Sequence, residues 1–174
     1  MPVQTQKELF LHELGDIYDA EQRITQILPG MVQEAQDSDI KKALEQHITE
    51  TKQQINNIEQ CFQVLGEQPK TFACLAIDGL NKEHENFVRE RPSAEILLMY
   101  DLEATVKTEH YEIASYQGLI DTAVTMGQQQ CAQLLKQNLD QEEVMAEKIV
   151  LFARQLGKQM AGQASRDVDV SDIE

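Results

Sequence analysis

Apolar residues recur at alternating steps of three and four along most of this chain, which is the spacing of one face of an α-helix. Four long segments carry the pattern, at about 4–36, 39–65, 94–126 and 128–156. Helix formers dominate, aromatic residues make up 5%, and only 4 prolines interrupt 174 residues. We therefore predict an all-α fold in one domain of ordinary size.

Turn and capping residues delimit these segments. Proline and glycine side by side, at Pro29 and Gly30, are predicted to kink the first helix or to divide it in two. The other boundaries have residues that commonly start or stop a helix. These are Ser38 as an N-cap, Gly66 as a stop, Ser93 after a proline as an N-cap, and Gly127 between the last two helices.

The connection between the second and third helices is long, at about 26 residues. It is long enough to run from one end of a helical bundle to the other, as in ferritin-like bundles. Its centre, at about 72–89, has enough helical character for a short extra helix. We predict an antiparallel four-helix bundle over 1–158. The remainder, 159–174, lacks an apolar row and is predicted to be a mobile tail.

Glutamates interrupt the apolar rows of three segments at their centres. Glu21 lies mid-row in the first segment, Glu109 and Glu112 follow one face of the third, and Glu142 lies mid-row in the fourth. Among 30 acidic residues, a single such glutamate is easily a chance event or an edge residue that reaches solvent. Several at similar depth are harder to explain in that way, because burying an unpaired carboxylate costs several kcal/mol.

The second segment has two competing rows. One contains His47 and Glu50, three residues apart, and has polar central turns. The other lies beside it and runs through Ile48, Thr51 and Ile55. If the first row faces the interior, each of the four helices contributes at least one carboxylate to a shared site.

Like charges at one place need compensation, because each raises the pKa of its neighbours. Two divalent cations would supply it, as in carboxylate bundles that hold two iron or manganese ions. Oxygen-rich sites suit iron or manganese better than zinc, which prefers sulfur and nitrogen. The pattern therefore predicts two divalent metal ions, either iron or manganese.

The net charge narrows the range of partners. Acidic residues outnumber basic residues 30 to 15, for a formal charge of −15. This balance disfavours nucleic acid and anionic membranes. The 3 cysteines lack a Cys-x-x-Cys spacing and are predicted to be reduced, buried thiols. Without a recognisable leader or a run of about 18 apolar residues, we predict a cytoplasmic protein.

Three motifs resemble one known family. They are LHELGDIYDAEQ in the first helix, LEQHITETKQQI in the second and EHYEIASY in the third. Together they are similar to the YciF/YciE group of ferritin-like proteins, and the third also resembles rubrerythrins. The resemblance covers about 7–156.

The resemblance implies a role for each glutamate. It makes Glu21 and Glu109 terminal ligands, with bridging as an alternative for Glu109, and Glu112 a further ligand. The bridging ligands would be Glu50 and, on the fourth helix, Glu142, for which neighbouring Glu143 is an alternative.

The chain departs from the rubrerythrin pattern in two places. Where histidine is expected three residues after Glu50 and Glu142, Gln53 and Met145 stand instead. His47, one turn before Glu50, is a substitute ligand or a neighbour of the ligands.

Two hydroxyl groups lie near the predicted ligands. Tyr18 and Tyr116, one turn from Glu21 and Glu112, are candidates to hydrogen-bond ligand carboxylates, with ordinary core packing as the alternative.

The expected function is Fe(II) oxidation or peroxide handling, in a stress-related context that the resemblance implies, with dioxygen or peroxide as substrate. The alternative is a bundle without productive metal chemistry that serves as a dimeric binding or structural protein. A homodimer is expected in either case, because long bundles often pair along their helices.

Overall fold

Five α-helices make up the fold. The computed structural model describes residues 3–35 and 37–171. The helices are α1 (Gln6–Glu34), α2 (Ser38–Val64), α3 (Leu75–Arg89), α4 (Ala94–Thr125) and α5 (Gln129–Ser171). The predicted all-α class is confirmed.

The four long helices form a closed ring. α1 packs on α2, α2 on α5, α5 on α4, and α4 on α1. α2 and α5 run in opposite directions, because Asn57 contacts Asn138 whereas Gln54, earlier in α2, contacts Glu142, later in α5. The short turns within the α1–α2 and α4–α5 pairs make those neighbours antiparallel as well. The predicted antiparallel bundle with a long crossover is therefore present.

The first two helices differ from the predicted ones in two places. Asp37, rather than Ser38, caps α2, and its carboxylate accepts from the backbone N–H of Asp39 at 2.8 Å. α1 continues through Pro29 to Glu34, so the proline does not divide it. Pro29 removes only one intrahelical hydrogen bond close to the helix end, and buried Leu28 holds this last part on the core.

The last helix is longer than its apolar row. α5 continues to Ser171, beyond the predicted end near 156, and no proline follows 156 to interrupt it. The mobility predicted for 159–174 stays a prediction, and its last three positions, 172–174, lie outside the described residues.

Hydrogen bonds hold the crossover against α1. The backbone N–H of Phe72 donates to the carbonyl of Gly15 at 3.0 Å, and a methyl group at Gly15 would lie 2.7 Å from the carbonyl oxygen of Lys70. One turn on, the N–H of Cys74 donates to Asp19 at 2.9 Å. Glycine at 15 thus permits a close backbone approach, and the α1 motif also serves to position α3.

Aliphatic side chains fill the ring above and below a polar middle layer. Leu14, Ile17, Ile58, Leu135 and Ile149 are at most 1% exposed. The cysteines, Cys61, Cys74 and Cys131, are free and buried. Within the part of the chain that the structure describes, no helix is both long and apolar enough to cross a bilayer.

Candidate metal centre

Five ionisable side chains meet inside the bundle. Glu21 of α1, Glu112 of α4 and Glu142 of α5 are 0% exposed, Glu109 of α4 is 1% exposed, and His47 of α2 is 2% exposed. Each lies on the inward face of its helix because it continues an apolar row at steps of three and four. The predicted row positions of the four glutamates are therefore buried, as the spacing indicated.

These side chains form two groups that share one member. One group consists of His47, Glu109 and Glu142, and the other of Glu21, Glu112 and Glu142. Within each group, one candidate ligand atom per residue lies within 4.8 Å of the others. Among the described residues, Glu142 is thus the one member common to both groups.

Neutral donors and His47 orient these carboxylates. The Tyr116 hydroxyl donates to Glu21 Oε1, and the side-chain amide of Gln54 donates to Glu142 Oε1. His47 Nε2 lies 3.4 Å from Glu109 Oε1. Each of these contacts uses only one oxygen of its carboxylate.

The remaining oxygens are buried without a donor. Glu112 accepts no hydrogen bond at either oxygen from any described residue. The same holds for the second oxygen, Oε2, of Glu21, Glu109 and Glu142, and for Nδ1 of His47. Since native interiors rarely leave buried polar atoms unpaired, these atoms are candidates to contact a bound cation or water.

The pKa values and the donor atoms of these groups indicate which kind of ion they would suit. Burial raises the pKa of Glu21, Glu109 and Glu112 well above 4.5, and in each case a neighbouring glutamate adds to the effect. Burial also lowers the pKa of His47 below 6.5, which keeps the imidazole neutral and able to bind a metal. Four carboxylates and one neutral imidazole fit two divalent cations, and this oxygen-rich donor set suits iron or manganese.

The structure brings Glu50 into neither group. Its side chain is half-buried, and its Oε1 accepts from the Gln46 amide at 2.6 Å near the surface. Gln53 is exposed, so a histidine there would not reach the centre. The side chains of α2 that contact the carboxylates of the centre are those of His47 and Gln54, and the role predicted for Glu50 stays a prediction.

Burial and contacts also distinguish among the other residues that the sequence suggested for the centre. Glu143 is exposed while Glu142 is fully buried. Met145 is 1% exposed and belongs to the apolar core. Tyr18 donates to Glu59 at 2.6 Å instead of to a carboxylate of the centre.

A chain of amides supports the centre from one side. Asn57 donates to Asn138 at 2.8 Å, and Asn138 donates to the Tyr116 hydroxyl at 3.1 Å. Tyr116 in turn donates to Glu21, so the chain ends at a carboxylate of the centre. Sequence reasoning gave these amides no role. Their inward spacing was visible, but their partners lie on other helices.

Comparison with known proteins agrees with this arrangement of helices. Residues 5–162 match the family described as Domain of unknown function (DUF892). The chain belongs to that family. It is also 31% identical over 144 residues to Protein YciF of Escherichia coli (strain K12), covering 82% of this chain and 87% of YciF. The resemblance to the YciF group is thereby confirmed.

Solved structures extend the likeness. The E. coli stress protein YciF superposes with a TM-score of 0.83 at 29% identity, over 89% of this chain and 98% of YciF. YcfI of Rhodopseudomonas palustris, for which a structural role has been suggested, has a TM-score of 0.81 at 38% identity. That match covers 84% of this chain and 94% of YcfI. A Xanthomonas campestris protein, at 22% identity and a TM-score of 0.73, shares the fold.

Proposed function

We propose that this protein binds two iron ions between its four long helices and uses them in Fe(II) oxidation or peroxide reduction. Glu142 carries the proposal, because it is the one buried carboxylate common to both groups of candidate ligands among the described residues. His47 and Glu109 would complete one position, and Glu21 and Glu112 the other. When bound, the ions would supply the electrons that reduce dioxygen or peroxide.

The protein's own residues would bind the ions, orient the ligand carboxylates and shield the centre from water. Tyr116 holds one oxygen of Glu21 and Gln54 holds one oxygen of Glu142, so the opposite oxygen of each is left for a cation. Such neighbours fix the direction of ligand atoms and tune their basicity. Leu102, Leu139 and Ile149 are at most 6% exposed, and such apolar side chains limit the entry of water.

An anaerobic Fe(II) titration followed by calorimetry tests the proposal. We expect two ions to bind per chain. Addition of oxygen or peroxide should then change the absorbance, at a rate that increases with the amount of Fe(II) bound. Replacing the shared ligand in Glu142→Ala should weaken the binding of both ions by at least about a hundredfold, beyond the usual effect of a residue that only supports a ligand.

Glu143→Ala is the matched control, because it removes an equal charge from the next, exposed position of α5. It should bind two ions as the wild type does. Failure of the wild type to bind Fe(II) stoichiometrically, or equal affinities for the two variants, would contradict the proposal.

A second candidate function is favoured by the shortage of nitrogen ligands. His47 is the single histidine in the two groups, where the rubrerythrin pattern has two. A bundle with this composition can keep its fold and serve as a binding or structural protein, the role suggested for YcfI of R. palustris. The same titration separates the two candidates, because this second one requires no stoichiometric Fe(II) and no oxidation.

A further inference from the structure

A cavity of about 700 Å³ extends from the surface to the candidate centre. Its inner end is lined by His47 and Glu109, two of the three residues in one half of the centre. Among the described residues, the lining includes neither Glu21 nor Glu112 of the other half. The cavity therefore gives access to only one of the two proposed metal positions.

The walls of the cavity are mainly aliphatic. α3 contributes one face at steps of three and four, and α1, α2, α4 and α5 complete the enclosure. Representative lining residues are Leu28, Leu44, Ile77, Leu98, Leu102 and Ile149. The cavity's volume lies within the range of small-molecule sites, which is about 300–1,000 Å³.

The cavity is long as well as apolar. Glu95 lines it near the start of α4, and Glu109 lines its inner end. A helix rises about 1.5 Å per residue, so these two positions lie about 21 Å apart along α4. An elongated molecule can therefore reach from the rim to the centre.

Acidic side chains in the outer part of the cavity disfavour an anionic occupant. Glu109 stands at the inner end, and Glu95 and Asp101 line the outer part. The only lining imidazole in that outer part among the described residues is His84, which lies 2.9 Å from Asp101. No lysine or arginine appears among the described lining residues to receive a carboxylate or phosphate. The protein as a whole carries a formal charge of −15.

We propose that this cavity binds an uncharged, elongated, mainly hydrocarbon molecule whose inner end lies beside His47 and Glu109. The contact with a reactive metal position rests on the proposed function, whereas binding itself requires only the cavity. The two proposals are therefore tested apart, with ligand binding measured on metal-free protein and Fe(II) binding measured without ligand.

Competition binding tests the inference on the metal-free full chain. The neutral fluorescent probe N-phenylnaphthylamine is first bound to the protein, and dodecanol or dodecanoate is then added below its aggregation concentration. We expect dodecanol to displace the probe, and dodecanoate, which has an equally long chain and an anionic head, to bind at least about tenfold more weakly, about 1.4 kcal/mol.

Three substitutions on α4 locate the bound molecule. Ala104 lines the cavity and is half-buried, whereas Ala114 is exposed and lies outside the described lining. Ala104→Phe should fill part of the cavity and weaken dodecanol binding at least about tenfold, and Ala114→Phe should leave it unchanged. Leu98→Trp, nearer the rim, provides a second filling variant whose fold is checked, like the first, by circular dichroism.

The outcomes separate the inference from its alternatives. Absence of dodecanol binding to the wild type, equal binding of dodecanoate, or full affinity in both folded filling variants would overturn it. If Fe(II) binds normally while dodecanol does not, only the cavity assignment fails. If dodecanol binds and Fe(II) does not, the cavity assignment stands and the proposed function fails.

Discussion

The two halves of the candidate centre differ in access. Glu21 and Glu112 are 0% exposed and lie outside the lining described for the large cavity, and Tyr116 closes their side with a hydrogen bond to Glu21. His47 and Glu109 are as deeply buried with respect to bulk water, yet they form the inner wall of a cavity of about 700 Å³. The two groups of candidate ligands have three members each and share Glu142, while their surroundings differ.

This difference suggests a division of roles. A cation held by Glu21, Glu112 and Glu142 would be enclosed by protein, and one held by His47, Glu109 and Glu142 would face a space that small molecules can enter. Substitutions in one half should therefore have consequences unlike those in the other. The shared residue Glu142 is the point at which the two halves become coupled.

The largest expected effect is the loss of one ion. Glu112→Ala should abolish binding in the enclosed half, and His47→Ala should abolish it in the half that faces the cavity. We expect each variant to bind one ion where the wild type binds two, as measured by metal analysis after anaerobic loading and desalting. Loss of both ions from either variant would show that the halves do not bind separately.

Removing the hydroxyl group of Tyr116 should weaken metal binding less, and only in the enclosed half. Tyr116→Phe leaves Glu21 without its donor but keeps the ring, and loss of such a supporting hydrogen bond weakens metal binding by about 10–100-fold. Competition with a chelator measures this change. Tyr18→Phe is the control, because Tyr18 donates to Glu59, and an equal effect of the two variants would contradict the assignment.

The smallest expected effect concerns the stability of metal-free protein. Burial raises the pKa of Glu21, Glu109 and Glu112 above 4.5, so the folded state binds more protons than the unfolded state as pH rises from about 4.5. Stability should consequently fall between that pH and the raised values. The lowered pKa of His47 has the opposite effect below pH 6.5, where it makes stability increase as pH rises. The three glutamates outnumber this single histidine, so the net effect should be a loss of stability.

Glu112→Gln checks this pH dependence. It removes one buried carboxyl group and should therefore raise the free energy of unfolding, with chelator present, more at pH 8 than at pH 5. Urea unfolding at pH 5 and pH 8 measures the change. Glu143→Gln, at an exposed position, should change the value by less than about 0.5 kcal/mol, and a pH-independent wild type would contradict the expectation.

The four glutamates of the centre are the part of the site that the sequence predicts best. Glu21, Glu109, Glu112 and Glu142 were predicted to face inward because α1, α4 and α5 each have a row at steps of three and four through them, and all four are at most 1% exposed. The long crossover between α2 and α4 likewise predicted a bundle of this connectivity. Here local periodicity was sufficient.

α2 was harder to predict because two rows compete on it. The structure buries residues of both, including Leu44, His47, Thr51 and Gln54, and leaves Glu50 half-buried. A difference of one residue turns a helical position by about 100°. Which row faces inward is therefore decided by packing against α1 and α5, as is the pairing of Gln54 with Glu142. Spacing within one helix does not carry that information.

Anomalous diffraction from crystals soaked anaerobically with Fe(II) tests the central claim most directly, because it locates the ions and not only their number. We predict two peaks, one beside His47 and Glu109 and the other beside Glu21 and Glu112, both within coordination distance of Glu142. A single peak, no peak, or two peaks of which neither lies next to Glu142 would contradict the account.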